Sequence, residues 1–390
     1  MNQPPASAPP RYEFLDALRG YAILGVISYH CAYFSGWSSH GIAFTEAGAF
    51  GVQLFFMVSA FTIFMTLERG VSREPALVQS FFIKRILRIV PLFWIGIVLY
   101  AFAPGREHYY QDWNIGLLVY FLTAILQQGW HPNYINTVVP GGWSIAIEVS
   151  FYIIAPLLFF RIKNWRTALC FFLGTLLLCR AANEGLRILE NHRLIFQQVL
   201  PDLSRRFAYQ WLPSQLPVFA CGILTYYILK SVPESFRSKQ NGLLLLAVAL
   251  AFLYSIAGIG DRRLIPEHVF FALGYLPFIL ALAIYPLPLL VNPAICYLGR
   301  ISYSCYLMHF VIMQGVIPHL DYFSGLVDSH SFKGYVLLFA ASLALTIAVS
   351  WLTYNLIEQP FIRLGSYLAR RVNTASEPEL KNRMPSAVNL

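Results

Sequence analysis

The sequence predicts an all-α polytopic membrane protein with about ten transmembrane helices plus one re-entrant or interfacial helix. Of its 390 residues, 57% are hydrophobic and 12% are charged, whereas about 25% of the residues of a soluble globular protein are charged. Several apolar runs are long enough to cross a bilayer. The sequence lacks the alternation of apolar and polar residues that is typical of a membrane β-barrel.

The apolar runs predict where the ten spans lie. They cover about 14–34, 49–67, a run beginning within 82–94 and ending near 103, and then 143–160, 167–182, 213–229, 242–258, 268–290, 301–318 and 335–357. Residues 1–13 are Pro-rich and lack the apolar core of a signal peptide, so we expect a disordered tail and no cleavable signal. The polar, basic residues 363–390 are expected to form a cytoplasmic tail.

The charge distribution decides how the shorter apolar segment 113–128 is interpreted. If this segment does not cross and the N-terminus is cytoplasmic, 18 Lys and Arg residues lie inside and 9 outside. If it does cross, the balance is nearly even. Because cytoplasmic loops are enriched in Lys and Arg, we expect a re-entrant or interfacial helix and two cytoplasmic termini. The net charge of +9 is explained in the same way and indicates no nucleic-acid partner.

The six cysteines lie mostly within or beside apolar runs and lack metal-ligand spacing. They predict small core residues rather than a disulfide framework, and no metal site.

Polar residues within the first span indicate a functional channel. Arg19 and His30 are eleven positions apart, which is within ~20° of three helical turns and about 16 Å along the axis. A charged side chain in a membrane helix usually faces a protein interior or a water-filled cavity. We therefore expect Asp16, Arg19 and His30 to lie along one wall of a polar channel. The alternative is that Arg19 reaches the membrane surface and His30 lies near the other interface.

Two further segments add polar residues of the same kind. Arg85 and Arg88, with Lys84 beside them, lie at the start of the third span. Arginines three residues apart share a helix face and can bind phosphate, although a cytoplasmic anchor would look similar. In the fourth span, Trp143 and Ser144 are followed by Glu148, one turn after the serine. We expect Glu148 near the depth of His30, either as its catalytic partner or as a structural ion pair.

The last polar group lies in the ninth span, where Ser302, Tyr306 and His309 share one helix face by their spacing. A buried histidine that is hydrogen-bonded within the bundle is the simpler interpretation of His309. We assign Tyr306 and His309 supporting or substrate-contacting roles. The segment Glu358–Phe361 closes the last span and is interpreted as structural.

Six motifs in this order resemble those of the acyltransferase-3 family of integral membrane O-acyltransferases. They are FLDALRG with His30, FFMVSAF, KRILRIVPLFW, GWSIAIEVSFYIIAP, ISYSCYLMHF and IEQPF. In the second motif Ala60 replaces the usual glycine. The resemblance extends from residue 14 to about 362 and implies one membrane acyltransferase domain over 14–362.

The resemblance also implies an activity and a site. Family members transfer an acyl group, often acetyl, from cytoplasmic acyl-CoA to a hydroxyl on the other side of the membrane, mostly of saccharides or glycolipids. The family's paired Arg and His correspond to Arg19 and His30, and its R-x-x-R to Arg85 and Arg88. We expect an inner-membrane enzyme without a permanently bound cofactor, which uses acyl-CoA as donor substrate.

In the mechanism we expect, His30 is the general base, Glu148 orients it, and Arg85, Arg88 and Lys84 bind the donor's phosphates. Arg19 holds either the CoA arm or the developing oxyanion. A transporter and a non-catalytic partner of polysaccharide export remain as alternatives. A transporter would often show inverted repeats, which this sequence lacks.

Overall fold

The structure is a computed structural model that describes residues 12–37, 47–102, 116–192, 195, 199, 201–256, 266–319 and 330–383. Over these residues the chain forms helices and no β-strand, which confirms the expected all-α class for this part of the protein. Most of the predicted tail 1–13 lies outside the described residues. The same is true of several arginines in the charge count: Arg11, Arg106, Arg193, Arg262 and Arg263.

Fourteen α-helices follow one another in the described chain. The first seven are α1 (Glu13–Phe34), α2 (Gly51–Val71), α3 (Leu77–Phe102), α4 (Leu117–Ala124), α5 (Gly142–Arg161), α6 (Trp165–Asn191) and α7 (Pro201–Gln210). The others are α8 (Leu212–Ser231), α9 (Lys239–Ile256), α10 (Glu267–Ile284), α11 (Pro293–Arg300), α12 (Ser302–Phe310), α13 (Phe332–Thr353) and α14 (Gln359–Arg383). Two π-helical segments, Val311–Val316 and Tyr354–Glu358, follow α12 and α13.

The lengths and composition of these helices are those of a multi-pass membrane protein. Within the described residues, six helical segments are long and apolar enough to cross a membrane, and a seventh span results if α11 is counted together with the helical segment Ser302–His319, which is bent by 67° against it. Helices α1 and α3 have 22 and 26 residues, which also suffices for ~30 Å of hydrocarbon, but they are not among the six. The count of ten spans remains a prediction.

Helix α4 has 8 residues and is about 12 Å long, too short to cross a bilayer. The Trp94 indole on α3 donates to the Ala124 carbonyl at 2.9 Å, and the Gln128 amide donates to the Gly142 carbonyl at 3.3 Å. The segment therefore folds back against α3 and the start of α5. This arrangement agrees with the expected non-crossing helix at 113–128, of which residues 113–115 lie outside the described part.

The helix ends form two poles. At the first, which we call the basic pole, contacts join Tyr12 to Arg69, Glu68 to Lys230, Ala76 to Asn373, and Ile162 to Tyr227. At the opposite pole, the His330 amide donates to the Ser35 carbonyl at 2.8 Å, and the Asn183 amide donates to the Ser214 hydroxyl at 2.7 Å. The start of α1 and the α14 residue Asn373 both lie at the basic pole.

Helix α2 is the centre of the bundle. Fourteen of its 21 residues are buried, and it packs most extensively against α8 and α1. A helix that is apolar around its whole circumference is stable only inside other helices. Ala60, which replaces the glycine of the family motif, is fully buried here. By contrast, α6 exposes large apolar side chains such as Leu177, as expected of a lipid-facing helix.

Helices α1 and α11 pack so closely that their backbones are in direct contact. A Cβ atom built on Gly299 would lie 1.7 Å from the Asp16 carbonyl oxygen, and one on Gly20 would lie 2.4 Å from the Ile295 carbonyl oxygen. Small residues allow such close packing of membrane helices. The contact fixes the segment of α1 that carries Asp16 and Arg19.

We predict that Gly299→Ala destabilises the protein by about 1–3 kcal/mol, because the added methyl group meets backbone that no rotamer change can move away. Gly174→Ala is the matched control, since its Cβ would have no neighbour within 4 Å. Thermal unfolding in detergent measures both. Equal transition temperatures for the two variants would contradict the packing argument.

Candidate active site

A small polar cavity lies between α1, α2, α3, α5 and α12. Its volume is about 80 Å³, which is room for only a few water molecules. Its polar lining comprises three arginines, one carboxylate and six hydroxyl groups: Arg19, Arg85, Arg88, Glu148, Ser59, Ser144, Tyr152, Ser302, Tyr303 and Tyr306. Six of the expected site residues are therefore brought together here, namely Arg19, Arg85, Arg88, Ser144, Glu148 and Tyr306.

Arg19 is held at the cavity from two sides. Its Nη2 donates to the Thr62 hydroxyl of α2 at 3.0 Å, and its Nη1 forms an ion pair with Asp16 Oδ1 at 3.4 Å. Thr62 donates its own hydrogen to the Val58 carbonyl at 2.6 Å, so its lone pairs are available to the guanidinium. A guanidinium has five N–H donors, and these two contacts leave others for a ligand. Asp16 contributes by positioning Arg19 rather than by lining the cavity.

Arg85 and Arg88 enter the cavity from one face of α3, as their spacing predicts. The Arg85 guanidinium carbon lies 5.2 Å from the centre of the Tyr152 ring and 5.8 Å from that of Phe81, which are distances for cation–π attraction. Arg88 lies in the electrostatic field of two carboxylates, Glu358 and Glu148. The two arginines therefore form a positive surface inside an otherwise apolar bundle.

Glu148 is bound by two hydroxyl groups. Its Oε1 accepts hydrogen bonds from Ser59 at 2.5 Å and from Tyr152 at 2.7 Å. The sequence suggested His30 as its partner because the two residues have similar depths. Depth does not fix the direction in which a helix face points, and this face of α5 is directed at α2 and α3.

Lys84 does not line the cavity. Its ammonium group forms an ion pair with Glu74 at 2.7 Å, in the turn before α3. Burial raises the pKa of Glu74, but hydrogen bonds from Lys84 and Ser80 outweigh it and hold that pKa below its ordinary value. In this structure Lys84 anchors the turn, and its expected role in phosphate binding remains a prediction.

The end of the cavity away from the basic pole is closed by Tyr306 and Ser144. Tyr306 donates to the Gly141 carbonyl at 3.0 Å and accepts from the Ser144 hydroxyl at 2.8 Å. Gly141 has φ +75°, and a Cβ there would lie 3.0 Å from the Tyr306 hydroxyl, so both conformation and space require glycine. Trp143 points away from the cavity and packs against Phe56, with ring centres 6.1 Å apart.

His30 lies beyond this end of the cavity, in an aromatic cluster. Its ring centre is 5.4 Å from that of His309 and 4.5 Å from that of Phe310. Tyr306 lines the cavity and also lies 5.6 Å from the His309 ring, so it separates the two regions. The expected continuous channel from Arg19 to His30 is therefore interrupted at Tyr306 in this structure.

Two polar residues that bind Glu148 were missed by the sequence interpretation, and Glu358, which was interpreted as structural, lies close enough to act on Arg88 electrostatically. Ser59 and Tyr152 bind Glu148, and Glu358 is buried, with its Oε2 accepting from the Ser304 hydroxyl at 2.9 Å. Tyr152 follows Glu148 by one turn, which was a readable signal of a shared face. Ser59 and Ser304 carried no such signal, because an isolated serine in a membrane helix is common.

Comparison with known proteins agrees with the motifs. The acyltransferase-3 family model, described as an acyltransferase domain, matches residues 12–355. Nodulation protein 10 of Rhizobium leguminosarum bv. viciae is 25% identical over 346 residues, covering 83% of this chain and 85% of that protein. No solved structure matches the chain.

The Staphylococcus aureus relatives are longer proteins. O-acetyltransferase OatA of strain NCTC 8325 is 24% identical over 390 residues, covering 91% of this chain and 58% of that one. A relative from strain COL is 25% identical, and the aligned part of this chain covers 57% of that relative's length. This chain thus spans less than two thirds of both. Since the family model nevertheless matches almost the whole chain, the protein belongs to the acyltransferase-3 family.

Proposed function

We propose that this protein is a membrane O-acyltransferase that moves an acyl group, acetyl in the first instance, from acyl-CoA in the cytoplasm to a hydroxyl of a saccharide or glycolipid on the other side. The observation that carries the proposal is the cavity that collects Arg19, Arg85, Arg88 and Glu148 among apolar helices. Such charges are costly in a membrane protein and usually serve transport or catalysis. The name of the relative OatA supports acetyl as the group and oxygen as the atom that receives it.

The negative charge of the donor matches the positive charge of the arginines that line the cavity. Coenzyme A carries phosphate groups, and guanidinium groups bind phosphate through charge-assisted hydrogen bonds. Arg85 and Arg88 share a face of α3 and are the first candidates. Because the cavity holds only about 80 Å³, admission of the pantetheine arm requires the long arginine side chains to swing aside.

The chemical step needs a base and a route for one proton. The acceptor oxygen forms a bond to the thioester carbonyl carbon, the carbon–sulfur bond breaks, and the hydroxyl proton ends on the CoA sulfur. His30 takes that proton and returns it to the thiolate, because a neutral imidazole has one ring nitrogen that can accept a proton. Arg19 holds either the CoA arm or the oxyanion. The acceptor must displace Tyr306 or reach His30 past it.

Sidedness in the proposal follows from charge. The basic pole carries the start of α1 and the turns that follow α2, α5 and α8, and Lys and Arg are concentrated on the cytoplasmic side of membrane proteins. The bacterial inner membrane is the compartment that offers acyl-CoA on one face and surface glycans on the other.

Release of free CoA thiol by the purified protein tests the proposal directly. With acetyl-CoA and a hydroxyl acceptor, an acyltransferase releases thiol, whereas a transporter or an export partner does not. Mass spectrometry of surface polysaccharides and glycolipids, with and without the gene, identifies the acceptor. A purified, folded protein that releases no thiol in the presence of extracted glycans would contradict the proposal.

For the donor site, we predict that Arg85→Ala and Arg88→Ala each weaken acyl-CoA binding by roughly 1.5–3 kcal/mol, the value of a hydrogen bond to a charged group. Lys84→Ala is the matched control from the same helix turn, because Glu74 already engages its ammonium group. Calorimetry in detergent measures the affinities. Unchanged affinity in the folded double arginine variant would refute the assignment.

For the chemistry, we predict that His30→Ala folds and binds acyl-CoA but transfers at least about a hundredfold more slowly, the typical contribution of a general base. Glu148→Gln is expected to be milder, since the amide oxygen can still accept from Ser59 and Tyr152. Single-turnover transfer measures both. Near-normal transfer by His30→Ala would place the base elsewhere, with His309 as the next candidate.

For the topology, we predict that both termini are cytoplasmic. A C-terminal fluorescent protein that matures only in the cytoplasm should be bright, and a C-terminal alkaline phosphatase should be inactive. An active phosphatase fusion would reverse the assignment of the basic pole.

A further inference from the structure

His309 is a buried histidine with one ring nitrogen engaged. It has no exposed surface, and its Nδ1 lies 2.7 Å from the Tyr306 carbonyl oxygen. A carbonyl oxygen only accepts, so Nδ1 must carry the hydrogen. In a neutral imidazole the other nitrogen, Nε2, is then an acceptor. Nε2 is buried and has no hydrogen-bond partner among the described residues.

A buried acceptor without a partner is uncommon and calls for an explanation. Three rings surround His309 in the described structure, namely Phe310, His30 and Tyr306. Phe310 has no polar hydrogen, and the Tyr306 hydroxyl is engaged by Gly141 and Ser144. His30 is the ring of the three that has an N–H to give.

The distance between the two imidazoles suits such a bond. Two imidazoles joined by an N–H···N bond of ~2.9 Å have ring centres roughly 5 Å apart. The centres of His30 and His309 are 5.4 Å apart, with the ring planes inclined by 38°. The observed separation is thus close to the one that such a bond requires.

We propose that His309 is the positioning residue of His30: its Nε2 accepts the N–H of His30 and so leaves the opposite nitrogen of His30 unprotonated toward the acceptor hydroxyl. The inference rests on the proposed function, in which His30 is the base. It gives His309 the orienting part that the carboxylate has in a Ser–His–Asp triad. When His30 takes the hydroxyl proton, the resulting imidazolium keeps its hydrogen bond to Nε2 until the CoA thiolate receives the proton.

The surroundings of His309 are built to hold this tautomer. Its Nδ1–H is tied to the carbonyl of Tyr306, whose own side chain is fixed between Gly141 and Ser144. The π-helical turn Val311–Val316 begins directly after α12, and such turns recur at functional sites. Glu148, by comparison, directs its carboxylate to Ser59 and Tyr152.

Two substitutions at His309 separate a positioning role from a packing role. His309→Asn can keep a donor near Nδ1 for the Tyr306 carbonyl but has no acceptor at the position of Nε2. His309→Gln can place its amide oxygen there. We expect kcat to fall about 10- to 100-fold in His309→Asn, the range found when a group that orients a metal-binding histidine is removed, and to recover largely in His309→Gln. Acyl-CoA affinity should stay unchanged in both.

The double variant His30→Ala/His309→Asn tests whether the two residues act as one unit. We expect it to be no slower than His30→Ala alone. If His309→Asn is slow, His309→Gln equally slow and the double variant slower still, His309 acts independently and the inference is overturned. A folded His309→Asn with normal kcat, in a protein that His30→Ala inactivates, overturns the inference but leaves the proposed function intact. If none of the variants loses transfer, not even His30→Ala, then His30 is not the base.

Nitrogen-15 NMR of the wild-type protein with labelled histidine serves where the variants do not fold. It reports which ring nitrogens carry hydrogen. We expect His309 to be protonated at Nδ1 and bare at Nε2. A protonated Nε2 would overturn the inference.

Discussion

The site depends on one constraint, which is that guanidinium groups buried among apolar helices have to be neutralised or solvated locally. Among the described residues, carboxylates from three different helical segments lie close enough to neutralise these guanidinium groups. Asp16 pairs with Arg19, while Glu148 and Glu358 lie in the field of Arg88. Glu148 accepts hydrogen bonds from Ser59 and Tyr152, and Glu358 accepts one from Ser304. The positive surface that Arg85 and Arg88 give the cavity supports the proposed binding of an anionic donor.

The same constraint explains which parts of the site could be predicted from the sequence. Charges and hydroxyl groups within apolar runs stand out, and helical spacing shows which of them share a face. Arg19, Arg85, Arg88, Ser144, Glu148 and Tyr306 were found in this way, and all of them line one cavity. The helical class and the non-crossing segment near α4 followed from composition and charge balance in the same manner.

That reasoning could not predict how the helices are rotated relative to one another. The rotation of one helix against another is set by packing, which a single sequence does not encode in its spacing. Glu148 and His30 therefore looked like partners by depth, although α5 directs Glu148 towards Ser59 and Tyr152. Lys84 looked like a third phosphate ligand because it adjoins Arg85. However, neighbouring residues of a helix point about 100° apart, and the Lys84 side chain reaches Glu74 instead.

The backbone contact between α1 and α11 has a mechanical consequence. Helices that meet at Gly20 and Gly299 leave no room for a methyl group, so we expect a slide of one along the other to be opposed by backbone clashes. The wall of the cavity formed by α3 and α5 is different, because there Arg85 rests on the Tyr152 ring, a contact that tolerates displacement. For the proposed donor, we therefore expect the cavity to open on the side of α3, where Arg85 and Arg88 lie and where α14 packs along α3 at Gly365.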